Sequence, residues 1–368
     1  MAYSASITVA NSSNSARSRI LICGYYGEHN LGDDALLSVL LNQLQGRWTP
    51  VITARDRRAV HSMAPSVETV DRRSLIAVLK EVRHVDAVIL GGGSLLQDST
   101  STRSLIYYVL LMWRAKILQK PVFLWAQGLG PLKRRTSRLL VARTLKTVTS
   151  ASWRDPASLQ QAENWSLDIP MAIGPDPVWS HTAPDWKSGH SLILCWRPTP
   201  LLSNKGWEQL VNALAQFSEK HDFNVVWLAF HGQQDADLFT HLCEEALVPE
   251  ELERRSTVVC ANSIAQVQKL FSESTMVIAM RLHALILAAV GGVPTSALSY
   301  DPKVSAAAEL AGLTCCELSD QLSEQLLIDQ WTGAMKSPLQ KQQIDTLAID
   351  ATIHSKNLNQ QLQTLLAD

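Results

Sequence analysis

The sequence lacks a surplus of either charge. Its 368 residues hold 33 Lys plus Arg against 34 Asp plus Glu, a formal balance of −1. A chain that grips nucleic acid carries a basic surplus, so that class is set aside and any anion must be held by a local arrangement. Cysteine is sparse as well. Cys23, Cys195, Cys243, Cys260, Cys315 and Cys316 show no C-x-x-C spacing, which excludes a disulfide framework and fits a reducing, cytoplasmic setting. The longest apolar stretch, Leu105 to Trp113, falls well short of the roughly 20 residues that span a bilayer, and Arg103 and Arg114 flank it. It reads first as a core helix, with an interfacial face as the other reading, so membrane contact is peripheral at most. Residues 1–18 are polar, rich in Ser and Asn, and read as a disordered leader rather than a secretory signal.

Several motifs are absent. There is no H-E-x-x-H, no G-x-S-x-G, no P-loop and no metal-ligand spacing. Metalloprotease and α/β-hydrolase readings therefore fall away, and no metal is expected.

What is present is a hydrophobic share of 46% with 18% charged residues, the balance of a globular chain. Short apolar runs alternate with longer amphipathic windows throughout, the pattern of βα units around parallel sheets. Strands are expected near residues 19–23, 50–54, 66–70, 85–90, 122–126, 148–153 and 169–173, and again near 191–195, 224–230, 257–260, 275–279 and 294–298. Between the two arrays lies Gly174 to Gly189, rich in proline and turn formers, where a domain boundary is expected. The organisation that follows is α/β: a leader at 1–18, an N-terminal domain at 19–180 and a C-terminal domain at 181–330. Helices fill 331–368 and return toward the first domain. Two such Rossmann-like domains leave a cleft at the carboxyl ends of their strands, where open α/β folds bind ligands.

The first strand runs into Gly24-Tyr25-Tyr26-Gly27 and then Asn30-Leu31-Gly32-Asp33-Asp34, a glycine-spaced loop opening a helix. Free N–H groups and the helix dipole favour an anion there. The spacing matches neither the dinucleotide fingerprint nor a P-loop, so NAD and ATP are not supported. Asp33 or Asp34 is either a helix cap or a general base on a hydroxyl. Gly91-Gly92-Gly93-Ser94 and Gln127-Gly128 end two further strands and offer backbone to a ligand. Arg154 ends another, followed by Asp155-Pro156 as a helix start. Arg281-Leu282-His283 follows an apolar strand. If the backbone there is still extended, Arg281 and His283 point to one side, an anion fork beside a proton carrier. Asp301-Pro302-Lys303 closes the last strand, with Lys303 placed to meet an anion.

Taken in order, G-Y-Y-G…N-x-G-D-D-A-L-L, G-G-G-S-L-L-Q-D, A-Q-G-L-G-P, W-R-D, R-L-H-A-L and S-Y-D-P-K-V resemble the polysaccharide pyruvyl transferase family. The bacterial members tied to cell-wall or surface polysaccharide are the most similar. The match runs from Gly24 to Val304, about three quarters of the chain. The resemblance implies a fold like the two-domain GT-B glycosyltransferases. It also implies transfer of a pyruvyl group from phosphoenolpyruvate to two hydroxyls of one sugar, giving a ketal and releasing phosphate. Arg154, Arg281, Leu282 and His283 then belong to the phosphoenolpyruvate site. His283 is the expected acid, and Asp33 or Asp34 the expected base. Gly24, Gly27, Asn30, Gly92, Gly93, Ser94, Gln127, Asp301 and Lys303 are the expected cleft or acceptor contacts. Phosphoenolpyruvate serves as co-substrate, and no cofactor is expected. The acceptor is a surface polysaccharide or its lipid-linked precursor, which would bring the chain to the inner face of the plasma membrane. The alternatives are a GT-B-like glycosyltransferase using a nucleotide sugar and a non-enzymatic anion sensor.

Overall fold

The computed structural model describes residues 18–44, 48–99 and 101–367, and the backbone alone for 365–367. All but the last residue of the expected leader lies outside the described residues. The first array forms β1 (Arg19–Tyr26), β2 (Thr49–Ala54), β3 (Glu68–Asp71), β4 (Ala87–Leu90), β5 (Gly93–Leu96), β6 (Val122–Leu129), β7 (Ser150–Trp153) and β8 (Met171–Ile173). The second forms β9 (Ser191–Cys195), β10 (Asn224–Ala229), β11 (Ser256–Cys260), β12 (Met276–Ala279), β13 (Thr295–Ser299) and β14 (Thr314–Glu317). All pairings are parallel. The first sheet runs β3-β2-β1-β4-β6-β7-β8 with β5 beside β6, and the second runs β11-β10-β9-β12-β13-β14. In each, strand order reverses beside the first strand of its array, between β1 and β4 and between β9 and β12. That reversal is where a doubly wound sheet opens its ligand crevice.

The central strands are apolar on both faces because helices cover both. Every residue of β4 and β12 is buried. The core is continuous across the halves: one cluster joins Ile20, Ile22 and Ile89 of the first sheet to Ile193, Val277 and the helix Leu282–Val290 of the second. That helix reads Leu-His-Ala-Leu-Ile-Leu-Ala-Ala-Val and is apolar nearly all round, as a helix enclosed on every side must be. The helix Glu324–Lys336 packs in the second core through Leu327, Ile328 and Trp331. The chain then crosses back: the helix Ile353–Ala367 touches β6, β7 and β8.

Two strands carry no readable signal. Gly93–Leu96 lies inside the glycine run yet pairs with β6, Gly93 against Gln127 and Leu96 against Leu129. Thr-Cys-Cys-Glu at 314–317 has no apolar run, because an edge strand half open to water needs none. β1 also runs on to Tyr26, so Gly24 is a strand residue rather than part of a loop. Of the 11 tryptophans, Trp125, Trp153, Trp179, Trp196 and Trp331 are fully buried. Among the described residues no helix is long and apolar enough to cross a membrane.

Candidate active site

A cavity of about 520 Å³ opens between the carboxyl ends of the two sheets. From the first half it receives Asn30 and Asp33 after β1, Arg72 after β3, Ser94 of β5 and Arg154 after β7. From the second it receives Arg197 after β9, His231 after β10, the Arg281-Leu282-His283 run after β12, and Tyr300, Asp301 and Lys303 after β13. The halves meet at its edge by backbone: Asn30 and His231 form an antiparallel bridge, with Leu31 N–H donating to Phe230 O at 3.3 Å and Gly232 N–H to His29 O at 3.1 Å.

Behind the cavity lining, a buried carboxylate ties Arg154 to His283. Asp176 stands at the start of the short 3-10 turn Pro177–Ser180, and its Oδ1 accepts from Val178 N–H at 3.0 Å. Its Oδ2 accepts from Arg154 Nη1 at 2.8 Å and from His283 Nε2 at 3.3 Å. Burial alone would raise this carboxyl, but His283, Arg154 and the Val178 N–H outweigh it and hold it far below the usual carboxylate range. An ionised carboxylate only accepts, so Nε2 of His283 carries the donated proton and Nδ1 is left to exchange one. Arg154 is further held by Nη2 donating to Ser94 Oγ at 3.2 Å.

Arg281 caps the amino end of its helix in extended conformation, and the helix begins at Leu282. The two-residue extended stagger assumed between Arg281 and His283 is therefore absent, yet both reach the cavity, one from the cap and one from the first helical turn. Arg281 is clamped by buried Asp235, which accepts from Nε at 3.1 Å and also from Nη2, while Nη2 donates to Gln234 Oε1 at 3.0 Å. Its Nη1 has no partner among the described residues. Arg197 stacks on the Tyr300 ring, 4.7 Å from its centroid, and donates from Nη1 to the Tyr300 hydroxyl at 3.0 Å. Among the described residues the Lys303 ammonium has no hydrogen-bond partner, and its backbone N–H donates to Asp301 Oδ1 at 3.0 Å. Burial pushes its ammonium below the usual lysine range and Arg154 adds to that, against Asp301 and Asp155. Arg72 is consumed locally by the Gly24 carbonyl, Glu28 and Tyr108.

Asp33 faces these cations from the first helix. Burial lifts its carboxyl to about 6, against the pull of His283, Arg154, Arg72 and the Asn30 amide. A carboxyl poised near neutrality in a cleft is the form a general base takes. Asp34, one residue further round the helix, does not line the cavity. Its carboxyl is pushed to about 7 by burial and then by Asp33.

Four other expected contacts also fall outside the lining, each for a packing reason. Gly24 lies in β1, its carbonyl taken by Arg72. Gly27 sits at φ +66° against the backbone of Asp56. Gly92 is pressed on Leu36 and Trp125. Gln127 is fully buried and turns inward to the carbonyls of Leu90 and Gly91. Asn30, Gly93, Ser94, Arg154, Arg281, Leu282, His283, Asp301 and Lys303 do line it.

Asp176 was hidden in a stretch that reads as linker. Its signal was the Asp-Pro pair that also starts the helices at Asp155 and Asp301, and all three aspartates cap the backbone that follows. Arg72 and Arg197 are cationic lining residues that the sequence pattern did not single out, and His231, at a strand end, lines the cavity as well. Among the described residues no three His, Cys, Asp or Glu side chains gather as a metal site would need.

The family model for polysaccharide pyruvyl transferases matches residues 30–302. The chain belongs to this family. The pyruvyl transferase match begins at Asn30 and ends at Pro302, so it spans the cavity-lining loops of both sheets. Comparison with curated protein sequences gives no match. Among solved structures the transferase is similar to the UDP-GlcNAc 2-epimerase of Neisseria meningitidis, with TM-score 0.60, 12% identity, and 94% of this chain and 99% of that one covered. It is similar also to Anabaena HepE, with TM-score 0.60, 15% identity, and 95% and 100% covered. A third is the UDP-GlcNAc 2-epimerase of Methanocaldococcus jannaschii, with TM-score 0.59, 12% identity, and 88% and 93% covered. At such identities the likeness establishes the two-domain GT-B fold.

Proposed function

We propose that this pyruvyl transferase moves the pyruvyl group of phosphoenolpyruvate onto two hydroxyls of one sugar, releasing phosphate and leaving a cyclic ketal. One observation carries the reading: Arg154, Arg197, Arg281 and Lys303 converge on a single cavity that Asp33 also lines, a carboxylate bonded to the Asn30 amide and paired with no cation among the described residues. A donor bearing both a carboxylate and a phosphate needs at least two cationic sites, and guanidinium forks bind both groups in a defined orientation. Arg281 and Arg197 keep donors free for this. Lys303 supplies a point charge that no side chain hydrogen-bonds among the described residues.

The chemistry follows from the donor. A proton added to the methylene carbon makes it a methyl and leaves cationic character on the adjacent carbon. A sugar hydroxyl attacks there and gives up its proton, phosphate then departs with the C–O bond pair, and a second hydroxyl closes the ketal and loses its proton. His283, held by Asp176, exchanges a proton through Nδ1. Asp33 relieves the attacking hydroxyl. No electron is transferred, so the scheme requires no redox cofactor.

The acceptor is a sugar of a surface polysaccharide or its precursor. The cavity continues past Arg154, Leu282 and Lys303 into a largely apolar groove of about 400 Å³ beside Trp179, Ala306 and Ala307, which gives a bulkier acceptor room. The competing reading, a nucleotide-sugar enzyme on the same fold, draws on the UDP-GlcNAc and UDP-glucose named with two solved relatives. Calorimetric titration of phosphoenolpyruvate separates them, with UDP-GlcNAc and pyruvate as controls. Saturable phosphoenolpyruvate binding, weakened at least tenfold in Lys303→Gln, is expected. Binding of UDP-GlcNAc without any of phosphoenolpyruvate overturns the proposal. Lys303 suits the test because its ammonium hydrogen-bonds no side chain among the described residues, whereas removing Arg281 would strand buried Asp235.

A further inference from the structure

Eleven of the chain's 33 basic residues and none of its 34 acidic ones fall between Asp98 and Asp155. A near-neutral protein thus concentrates its positive charge in one segment. The fold lays the two helices of that segment side by side on one face. The helices Leu75–Glu81, Thr102–Ile117 and Arg135–Leu145 touch in series, the second contacting both others. They bury Val78, Leu105, Leu111 and Val141 against the same side of the first sheet, through Leu21, Val88 and Leu124. Their outer sides are left to solvent.

Those outer sides are not polar throughout. Ile106, Trp113 and Ile117 are exposed on the middle helix at spacings of seven and four, a single stripe along it. Ile76 and Leu139 extend the apolar surface to either neighbour, and Ile76 and Ile117 are 70% and 72% exposed. Exposed cations surround the stripe: Lys80, Arg103, Lys116, Arg135, Arg138 and Arg143. The nearest acid of these helices, Glu81, is taken by Arg19 at 3.1 Å.

We propose that this three-helix face docks on an anionic lipid bilayer, the apolar stripe entering the headgroup boundary while the arginines and lysines meet lipid phosphates. Both elements are needed: exposed Trp and Ile supply burial, and the unopposed cations supply complementarity to a negative surface. A polyanion such as nucleic acid would use the charge and leave the stripe idle. The orientation also has a consequence. Ser101, Ser104 and Tyr108, at the amino end of the middle helix, line the cavity, so the docking face adjoins the mouth of the active site.

The test is cosedimentation of the full chain with vesicles of phosphatidylcholine, alone or with about one-third phosphatidylglycerol. Binding is expected only to the anionic vesicles, and it weakens in high salt because the Debye length shrinks. Trp113→Ser with Ile117→Ser should lower affinity at least tenfold with the melting temperature changed little, since both side chains lie on the surface, 40% and 72% exposed. Arg135→Gln, Arg138→Gln and Arg143→Gln together should lower it roughly a hundredfold, at roughly fivefold per residue. No binding to anionic vesicles overturns the proposal. So does binding that all five substitutions leave unchanged, or duplex DNA binding as tight as vesicle binding and indifferent to the serine pair.

Discussion

Gly32 is glycine because the imidazole of His283 occupies the space where its side chain would be: a Cβ there would overlap Nδ1. Gly32 lies in the first turn of the helix that follows β1, and His283 in the first turn of the helix that follows β12, so the contact brings a proton-exchanging nitrogen of one half to a helix amino end of the other. A ligand at this nitrogen is also within the positive field of that helix.

Gly32→Ala therefore forces the His283 ring aside. Turnover should fall about a hundredfold, the scale set by an ångström of misplacement, with little change in secondary structure. Comparing kcat with circular dichroism checks it. An alanine variant as active as wild type would remove Nδ1 from the mechanism.

Asp176→Asn tests the shared anchor. The change keeps shape but removes the charge that holds Arg154 and His283, leaving a guanidinium 7% exposed without its counterion. A stability loss of about 3 kcal/mol is expected, because breaking a buried pair strands its partner. kcat should fall by roughly 10²-fold or more, because the ring loses the carboxylate that fixes its tautomer. Urea unfolding and steady-state kinetics measure the two losses separately.

Asp33 gives a pH signature. Its carboxyl titrates at about 6 in the folded chain, and a base must be ionised, so kcat/KM should climb through pH 6 and level off above it. In Asp33→Asn that rising limb should vanish and kcat drop about 10²- to 10⁴-fold. A limb retained at the same pH in the asparagine variant would assign the base elsewhere.

Asp34 makes the corresponding prediction for stability alone. Its folded value of about 7 lies above the unfolded value near about 4. Between those pH values the folded chain binds a proton that the unfolded chain has released, so the carboxyl's contribution is fully present below pH 4 and is lost as pH rises through 7. Asp34→Asn removes that loss. Its melting temperature should exceed wild type at pH 8, by roughly 3 °C or more, and coincide with it at pH 4. Scanning calorimetry at the two pH values decides.

The cations and the histidine that were legible in the sequence share one property: each stands just past the end of a strand. Arg154, Arg281, His283 and Lys303 follow apolar runs directly, and a parallel sheet delivers every such end to one edge. The same rule misplaced Gln127, because a strand's last residues alternate between cleft and interior and its side chain took the interior, bonding to Leu90 and Gly91. Asp176 escaped because its importance is tertiary: its partners stand 22 and 107 residues away, and nothing local marks such a pairing. Arg72 likewise meets Glu28 across 44 residues. Packing creates these relations, and local pattern does not encode them.

His231 follows β10 and lines the cavity, and its chemistry is testable. Its backbone N–H is fixed by Asp235 at 2.7 Å, yet both ring nitrogens are buried and neither has a partner among the described residues. Burial, and then Arg281, lower its basicity, so the ring is neutral at pH 7 with one donor and one acceptor to offer. A buried polar group without a partner costs stability, and this one lines the active cavity beside the Arg281 fork. The cost is recovered when a ligand supplies the missing hydrogen bonds. His231→Phe should then keep or raise the melting temperature while raising KM for a substrate about tenfold, with kcat changed far less. Thermal melts and KM values for donor and acceptor in the variant give the answer. A phenylalanine variant that binds both substrates as wild type does would make His231 a structural residue.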